Sequence, residues 1–179
     1  MLSFELSLLD FLQAHLRCAF LDAVVPVFTK LGDYGILWIL LTAGLLAFPK
    51  TRRVGLAAAC ALLLELLLCN LLLKPLVARE RPYTYRELQL LISPLKDYSF
   101  PSGHTAASFA VSSALFFRKN RLWIPAFALS ILLGFTRLYL YVHFPSDVLC
   151  GALLGVFAGF LGCLLAKRLE TLWTRRRSR

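Results

Sequence analysis

The sequence predicts an all-α integral membrane protein: a bundle of five or six transmembrane helices with an interfacial amphipathic helix at the N-terminus. Hydrophobic residues make up 59% of its 179 residues, and charged residues only 17%, against roughly 25% in ordinary soluble domains. Mean hydropathy is +0.70. Five apolar stretches approach or reach the roughly 20 residues that a helix needs to cross a bilayer. This composition excludes a typical cytosolic globule, a disordered protein and a nucleic-acid-binding module.

The first 30 residues differ from the rest in their pattern. Leucines recur at helical spacing at Leu6, Leu9, Leu12 and Leu16, with Glu5 and other polar residues mostly on other faces. Such a pattern is typical of a helix lying in the membrane interface. Residues 20–28 are apolar enough to enter the bilayer, and for this reason the number of spans stays at five or six.

The remaining chain divides into spans and connecting segments within one domain, residues 1–179. The candidate spans are residues 34–48, 54–73, 105–117, 122–142 and 148–166, and the first and third are the weakest. Short basic loops cover residues 49–53 and 118–121. The only long loop, residues 75–100, is of a length usually associated with function or disorder. A basic tail occupies residues 167–179.

The distribution of charge predicts the orientation. More than half of the 20 Lys and Arg residues lie in the two short loops and the tail. The only acidic residue in these three segments is Glu170, in the tail. Lys and Arg accumulate on the cytoplasmic side of membrane proteins. We therefore expect a multi-pass protein of the plasma (inner) membrane with a cytoplasmic C-terminus and a long loop that faces outward.

Three clusters of polar residues fall at the outer ends of the predicted spans. The first contains Lys74 and Arg81, and Arg137 belongs to the third. Ionisable residues near membrane depth are costly, which makes them functional candidates. Three cations around one point suit a doubly charged anion such as a phosphate monoester.

The second cluster begins a predicted helix. Free backbone N–H groups at a helix N-terminus bind anions, and Gly103 allows a close approach to the backbone. Ser102 can add a hydroxyl hydrogen bond. His104 is placed to act as a general acid for a leaving oxygen.

The third cluster pairs His143 with Asp147 at a spacing of four residues. A carboxylate bound to one ring nitrogen fixes the tautomer and leaves the other nitrogen as a nucleophile. Together with His104 and the cations, this set contains the parts needed for phosphoryl transfer without a metal or another cofactor. The pair alone is equally consistent with a structural contact at a helix end.

These clusters resemble the three signature motifs of the type 2 phosphatidic acid phosphatase superfamily. The motifs are Lys74-x6-Arg81-Pro82, Pro101-Ser102-Gly103-His104 and Arg137-x5-His143-x3-Asp147. They occur in the expected order and at the expected spacings. One departure is Thr136, where the family usually has Ser; because Thr keeps the hydroxyl, we expect little functional loss.

The resemblance implies a role for each matching residue. His143 would attack phosphorus and carry a phosphohistidine, Asp147 would orient His143, and His104 would protonate the leaving group. The phosphoryl oxygens would be held by Lys74, Arg81, Ser102, Gly103 and Arg137. Side chains that line the access route of the substrate are expected at Tyr83, Tyr85 and Phe100, although a loop resting on the membrane explains them equally well.

The compact chain resembles the small bacterial lipid phosphatases of this superfamily. Those act on undecaprenyl pyrophosphate or, as in the phosphatidylglycerophosphatase B type, on phosphatidylglycerophosphate. An outward site favours undecaprenyl pyrophosphate, with phosphatidylglycerophosphate or phosphatidic acid as alternatives. The expected partners are a lipid phosphate and the bilayer, not nucleic acid. A vanadate-dependent peroxidase and a non-catalytic lipid-binding protein are the alternatives from other classes.

Two further predictions concern charged residues outside the motifs. Glu65 lies in the middle of a span, where it is protonated, bonded to a neighbouring helix near Asn70, or part of a polar path; a packing role is favoured. Arg79, Arg86 and Lys96 have acidic neighbours in sequence, which predicts a solvated loop surface for all three.

Overall fold

The structure is a computed structural model that describes residues 2–177, of which residues 175–177 are described by their backbone alone. All regular elements within this range are helices, which confirms the all-α class. The α-helices are α1 Leu2–Leu16, α2 Ala19–Thr29, α3 Ile36–Ala47, α4 Arg52–Glu65, α5 Lys74–Val77, α6 Gly103–Phe117, α7 Trp123–Tyr139 and α8 Pro145–Arg177. Two 3₁₀-helices cover Lys30–Gly35 and Pro82–Tyr85, and a π-helix, Leu66–Leu73, joins α4 to α5.

Three helical stretches within the described residues are long and apolar enough to cross a membrane: Ala19–Ala47, Arg52–Tyr85 and Pro145–Thr174. The helix α7 is apolar but shorter. The first stretch begins earlier than the sequence predicted, because α2 runs through the 3₁₀ turn into α3. Twelve residues in α3 rise only about 18 Å, too little for a hydrocarbon core of roughly 30 Å.

The helices α6 and α8 form the centre of the bundle through small residues. A side-chain carbon added at Gly155 would lie 2.4 Å from the Ala106 carbonyl oxygen, and one at Gly159 would lie 2.7 Å from the Ser113 side chain. Gly151 meets the backbone of Ser102 in the same way, at 2.7 Å. This four-residue repeat of glycine lets two helix backbones approach closely, as is common in membrane bundles.

The opposite side of α8 is apolar and exposed. Leu149, Leu153 and Phe157 repeat every four residues with more than half of their surface accessible. Large contiguous apolar surfaces of this kind mark membrane or protein contacts. In a chain of this hydropathy they form the lipid-facing side.

The long loop begins later than predicted, because the helix continues past Pro75. The π-helix leads directly into α5, and the helix ends only at Ala78, which has a left-handed backbone (φ 47°). A turn, not helical spacing, therefore brings Lys74 and Arg81 to the same region.

The N-terminal helix α1 packs against the rest of the protein, and one of its polar residues is unexpectedly buried in this contact. Leu6 and Leu9 contact Tyr141 and Phe144. Glu5, expected on a polar outer face, is instead buried, with 5% of its surface exposed. That expectation was wrong because Glu5 has a cationic partner from the long loop, described below. The predicted interfacial position of α1 stays a prediction.

Candidate active site

One cavity of about 910 Å³ collects residues from all three sequence motifs. Of the predicted site residues, it is lined by Lys74, Arg81, Gly103, His104, Arg137 and His143. Its remaining wall includes the apolar side chains of Ile39, Leu62, Leu63 and Leu66. The wall of the cavity thus combines cationic and apolar side chains.

His143 lies between the cavity and the buried Asp147. Its Nδ1 is 3.6 Å from Asp147 Oδ2 and 3.5 Å from the hydroxyl oxygen of Ser99, while Ser99 donates a hydrogen bond to the same carboxylate oxygen. The distance of 3.6 Å is an ion-pair distance and too long for a hydrogen bond. Ser99 therefore bridges the ring and the carboxylate.

The other ring nitrogen of His143 faces a guanidinium. Nε2 lies 3.3 Å from Nη1 of Arg81. Because a guanidinium only donates hydrogen bonds, Nε2 is the acceptor nitrogen and the ring proton belongs on Nδ1. This tautomer leaves the lone pair of Nε2 directed at Arg81, which also lines the cavity.

Burial lowers the pKa of the His143 imidazole to about 3. The interaction with Asp147 opposes this shift, and the positive charges of Arg81 and Arg137 add to it. A neutral ring is the form in which a histidine can act as a nucleophile.

Lys74 and Arg81 are bridged by Asp97, a loop residue that the sequence analysis did not single out. Lys74 Nζ pairs with Asp97 Oδ2, and Arg81 Nη2 lies 2.6 Å from Asp97 Oδ1. Burial would raise the pKa of this carboxyl, but Lys74 and then Arg81 outweigh it and lower the pKa to about 2. Asp97 is therefore a carboxylate at neutral pH and marks where these cations hold an anion.

Arg137, the third cation, is held from behind by α2. Its Nη1 donates to Thr29 Oγ1 at 2.8 Å, and Thr136 Oγ1 lies 3.1 Å from the same hydroxyl. Its buried Nε has no hydrogen-bond partner among residues 2–177. Since buried donors are nearly always satisfied, this one favours an acceptor supplied by a ligand.

His104 is in the first turn of α6, and its Nε2 lies 2.9 Å from Asp33 Oδ1. Asp33 belongs to the 3₁₀ turn after α2, where Gly32 also fits against the ring. A side-chain carbon at Gly32 would lie 2.5 Å from Cδ2 of His104. The turn between α2 and α3 thus sets the position of the ring.

Five of the predicted residues do not line this cavity, and one of them, Asp147, lies behind His143. Ser102 is fully buried, and its hydroxyl is 3.0 Å from that of Thr105. Tyr83 donates to the carbonyl oxygen of Leu95, and Tyr85 packs near the ring of Phe144. Phe100 is also absent from the lining residues. The loop residues Pro94, Leu95 and Lys96 line the cavity instead, so the access route proposed through the aromatic residues has no support from this geometry.

Glu65 is buried and also lines the cavity. It accepts a hydrogen bond from Asn70 Nδ2 at 3.3 Å. Asn70 is in the π-helix that continues α4, and so the partner comes from the same helix and not from a neighbouring one.

Arg79 corrects the prediction of a solvated loop residue. It lies 2.7 Å from Asp147 Oδ1 and 2.6 Å from Glu5 Oε2. The prediction was wrong because Glu80, its neighbour in sequence, is not its partner in space. The sequence analysis did not place Arg79, Asp33, Asp97 or Ser99 in the site. No local pattern of residues reveals contacts between residues that lie far apart in the chain.

The family model of the PAP2 superfamily, the abbreviated name for type 2 phosphatidic acid phosphatases, matches residues 54–170. The chain belongs to this superfamily. The resemblance drawn from the three motifs is therefore confirmed, and with it the class of phosphate-ester hydrolases.

Individual relatives agree with this assignment. An undecaprenyl-diphosphatase from Sulfolobus acidocaldarius is 31% identical over 81% of this chain and 70% of its own length. The crystal structure of a transmembrane PAP2-type phosphatidylglycerolphosphate phosphatase from Bacillus subtilis has a TM-score of 0.74 and 27% identity, covering 93% of this chain and 86% of that one. The structure of Aquifex aeolicus LpxE has a TM-score of 0.75 and 31% identity, covering 88% and 93% of the two chains.

Proposed function

We propose that this protein hydrolyses a membrane lipid phosphate or diphosphate through a phosphohistidine on His143, with undecaprenyl diphosphate as the preferred substrate. The observation that carries the proposal is the position of His143 Nε2, which lies beside Arg81 in the wall of the cavity. Asp147 lies behind the ring on the opposite side.

In the first step, Nε2 attacks phosphorus and the bond from phosphorus to the leaving oxygen breaks. His104 donates a proton to that oxygen. Burial and the charge of Arg137 lower the pKa of this ring, and Asp33, 2.9 Å away, opposes that shift and balances the charge of the protonated form. Lys74, Arg81 and Arg137 stabilise the charge that develops on the phosphoryl oxygens. The phosphoryl group would take the place of the Asp97 carboxylate on two of these cations.

In the second step, water attacks the phosphohistidine. The neutral His104 accepts a proton from that water, the phosphorus–nitrogen bond breaks and inorganic phosphate leaves. Both histidines then have their starting protonation, so the cycle balances.

The apolar side chains in the wall of the cavity favour a lipid over a soluble ester. Leu62, Leu63 and Leu66 can contact a hydrocarbon chain while the headgroup lies among the cations. The relatives named for undecaprenyl diphosphate, including a Bacillus subtilis protein 30% identical over 79% of this chain, favour that substrate. Phosphatidylglycerophosphate is the second candidate, because the Bacillus subtilis structure above is that of a phosphatidylglycerolphosphate phosphatase.

The site faces outward from the plasma membrane in this proposal, with the C-terminus in the cytoplasm. The basic loops and tail support this orientation through the positive-inside rule. Arg118 in the second basic loop pairs with Glu170 of α8 at 2.7 Å, which places loop and tail at the same end of the bundle. Residues 178 and 179 of the predicted tail lie outside the described residues.

A phosphate-release panel tests the proposal. Purified protein in detergent micelles is given undecaprenyl diphosphate, phosphatidylglycerophosphate, phosphatidic acid and a soluble phosphate ester in turn. We expect fastest release from undecaprenyl diphosphate, and at least a thousandfold loss in His143→Gln, on the order seen when catalytic nucleophiles are removed. Release without discrimination, or full activity of His143→Gln, would contradict the proposal.

The same preparation separates the alternatives of other classes. A vanadate-dependent peroxidase would brominate a dye when vanadate and peroxide are added, whereas a phosphatase would be inhibited by vanadate. A non-catalytic lipid-binding protein would bind the lipid and release no phosphate.

A further inference from the structure

Arg79 contacts the residue that lies behind His143, although it is not among the residues that line the cavity. Its Nη1 donates to Asp147 Oδ1 and to Ser146 Oγ, both at 2.7 Å. Its guanidinium carbon lies 3.9 Å above the centre of the Phe144 ring. The planar guanidinium is thus held by hydrogen bonds at its edge and by an aromatic ring at its face.

Asp147 needs such a partner because it is fully buried. Its Oδ2 accepts hydrogen bonds from the Phe144 backbone at 2.8 Å and from the Ser99 hydroxyl. A buried carboxylate is costly unless a charge compensates it. His143 is neutral, since its pKa is about 3, and so the positive charge in contact with Asp147 is that of Arg79.

Glu5 holds Arg79 from the other side. Its Oε2 lies 2.6 Å from Arg79 Nη2, and its Oε1 accepts a hydrogen bond from the Ser146 backbone at 3.0 Å. Glu5 is buried and belongs to α1, which precedes the family match at residues 54–170. A helix outside the matched region thus contacts the first turn of α8 where Asp147 lies.

We propose that Arg79 is a positioning residue that fixes Asp147, and through it His143, and that Glu5 completes this arrangement from α1. The N-terminal helix is therefore part of the active-site structure and not only a membrane anchor. This inference rests on the proposed function, in which His143 is the nucleophile.

The test compares variants of the full-length protein in detergent micelles with undecaprenyl diphosphate and phosphatidylglycerophosphate as substrates. Arg79→Met should lower kcat about 10- to 100-fold, the effect of a misplacement near 1 Å. KM should stay within about twofold, because Arg79 does not line the cavity. Arg79→Lys should restore part of kcat, and Glu5→Gln should lower kcat less than Arg79→Met does.

Arg86→Met is the matched control. Arg86 is in the same loop and also pairs with α1, through Asp10 at 3.2 Å, but neither of these residues contacts Asp147 in the hydrogen bonds and ion pairs of the described chain. Its kcat should stay within about twofold of the unmodified protein.

A second measurement does not depend on activity. In ¹⁵N-histidine NMR, with the His143 signals assigned by their loss in His143→Gln, the ring signals should shift in Arg79→Met and not in Arg86→Met. If Arg79→Met does not fold, Arg79→Lys and Glu5→Gln are compared with Arg86→Met in the same way.

The outcomes separate the two proposals. Unchanged kcat with unchanged His143 signals in Arg79→Met overturns the positioning role, as does a raised KM with unchanged kcat. If the unmodified protein releases no phosphate from either lipid, the proposed function fails. The NMR comparison then decides alone, and a His143 shift confined to the Arg79 and Glu5 variants supports the positioning role.

Discussion

Burial controls the chemistry of single residues at this site, and His143 is the clearest example. Only 2% of its surface is exposed, and two guanidinium groups lie nearby. Both conditions disfavour the protonated imidazole. The neutral ring that results is a competent nucleophile, and the same burial requires Arg79 as a counter-charge for Asp147.

We expect His143 to remain unprotonated where ordinary imidazole becomes charged. Its pKa is about 3, against an ordinary value of 6.5, and so its NMR ring signals should not change between about pH 8 and pH 5. Between these two pKa values the unfolded chain binds more protons than the folded one. His143 should therefore make the fold less stable as pH falls from about 6.5 toward 3.

A titration of the protein in micelles checks this prediction. The His143 signals, identified with His143→Gln, are followed from about pH 8 to about pH 5. The stability against unfolding is measured at both of these pH values. A midpoint of the His143 titration near pH 6.5 would contradict the proposed environment.

At the level of elements, close helix contacts determine where the motifs meet. The glycine repeat of α8 allows α6 to lie against it, and α6 begins with Gly103 and His104. The backbone of Ser102 also donates to the Asp147 carbonyl oxygen at 3.1 Å. The two helix starts that hold the second and third motifs are thus joined directly.

Gly155→Ala should destabilise this contact. The added methyl group would lie 2.4 Å from the Ala106 carbonyl oxygen, and overpacking of this kind costs about 1–3 kcal/mol. Unfolding in identical micelles should therefore occur at lower temperature or denaturant concentration.

Gly44→Ala is the control for that substitution. It lies in α3, and an added carbon there meets nothing within 4 Å among the described residues. Its stability should be unchanged or higher by up to about 1 kcal/mol, because alanine favours a helix more than glycine does. Equal stability of the two variants would show that the α6–α8 contact tolerates a larger residue.

At the level of the whole molecule, one end of the bundle is basic and the other holds the site. The net charge of +10 comes largely from the two short loops and the tail, and none of their described residues lines the cavity. Such an asymmetry orients a chain during insertion. The cavity, whose wall contains both cations and leucines, suits a substrate whose hydrocarbon part stays in the bilayer.

A fluorescent protein that matures only in the cytoplasm should be bright when fused after Arg179. The same reporter fused to a chain truncated after Glu87, in the predicted outer loop, should be dark. The reverse result would invert the orientation and remove the argument for a substrate at the outer face.

Hydropathy and motif spacing were sufficient to predict the helical membrane class and the PAP2 family, because both can be read from residues that are close in the chain. The sequence also indicated the cations and both histidines. It misjudged Glu5 and Arg79, which lie 74 residues apart, and it did not indicate Asp33, 71 residues from His104. The sequence shows which charged residues are neighbours along the chain, but not which of them meet in the folded protein.

The pairing of carboxylates with cations became known from the folded structure alone. Asp97 pairs with Lys74 and Arg81, whereas Glu5 and Asp147 share Arg79. A buried charge is costly unless an opposite charge lies next to it, and the packing of the helices determines which opposite charge that is. That choice depends on how α1, the long loop and α8 meet in space, which no local pattern of residues contains.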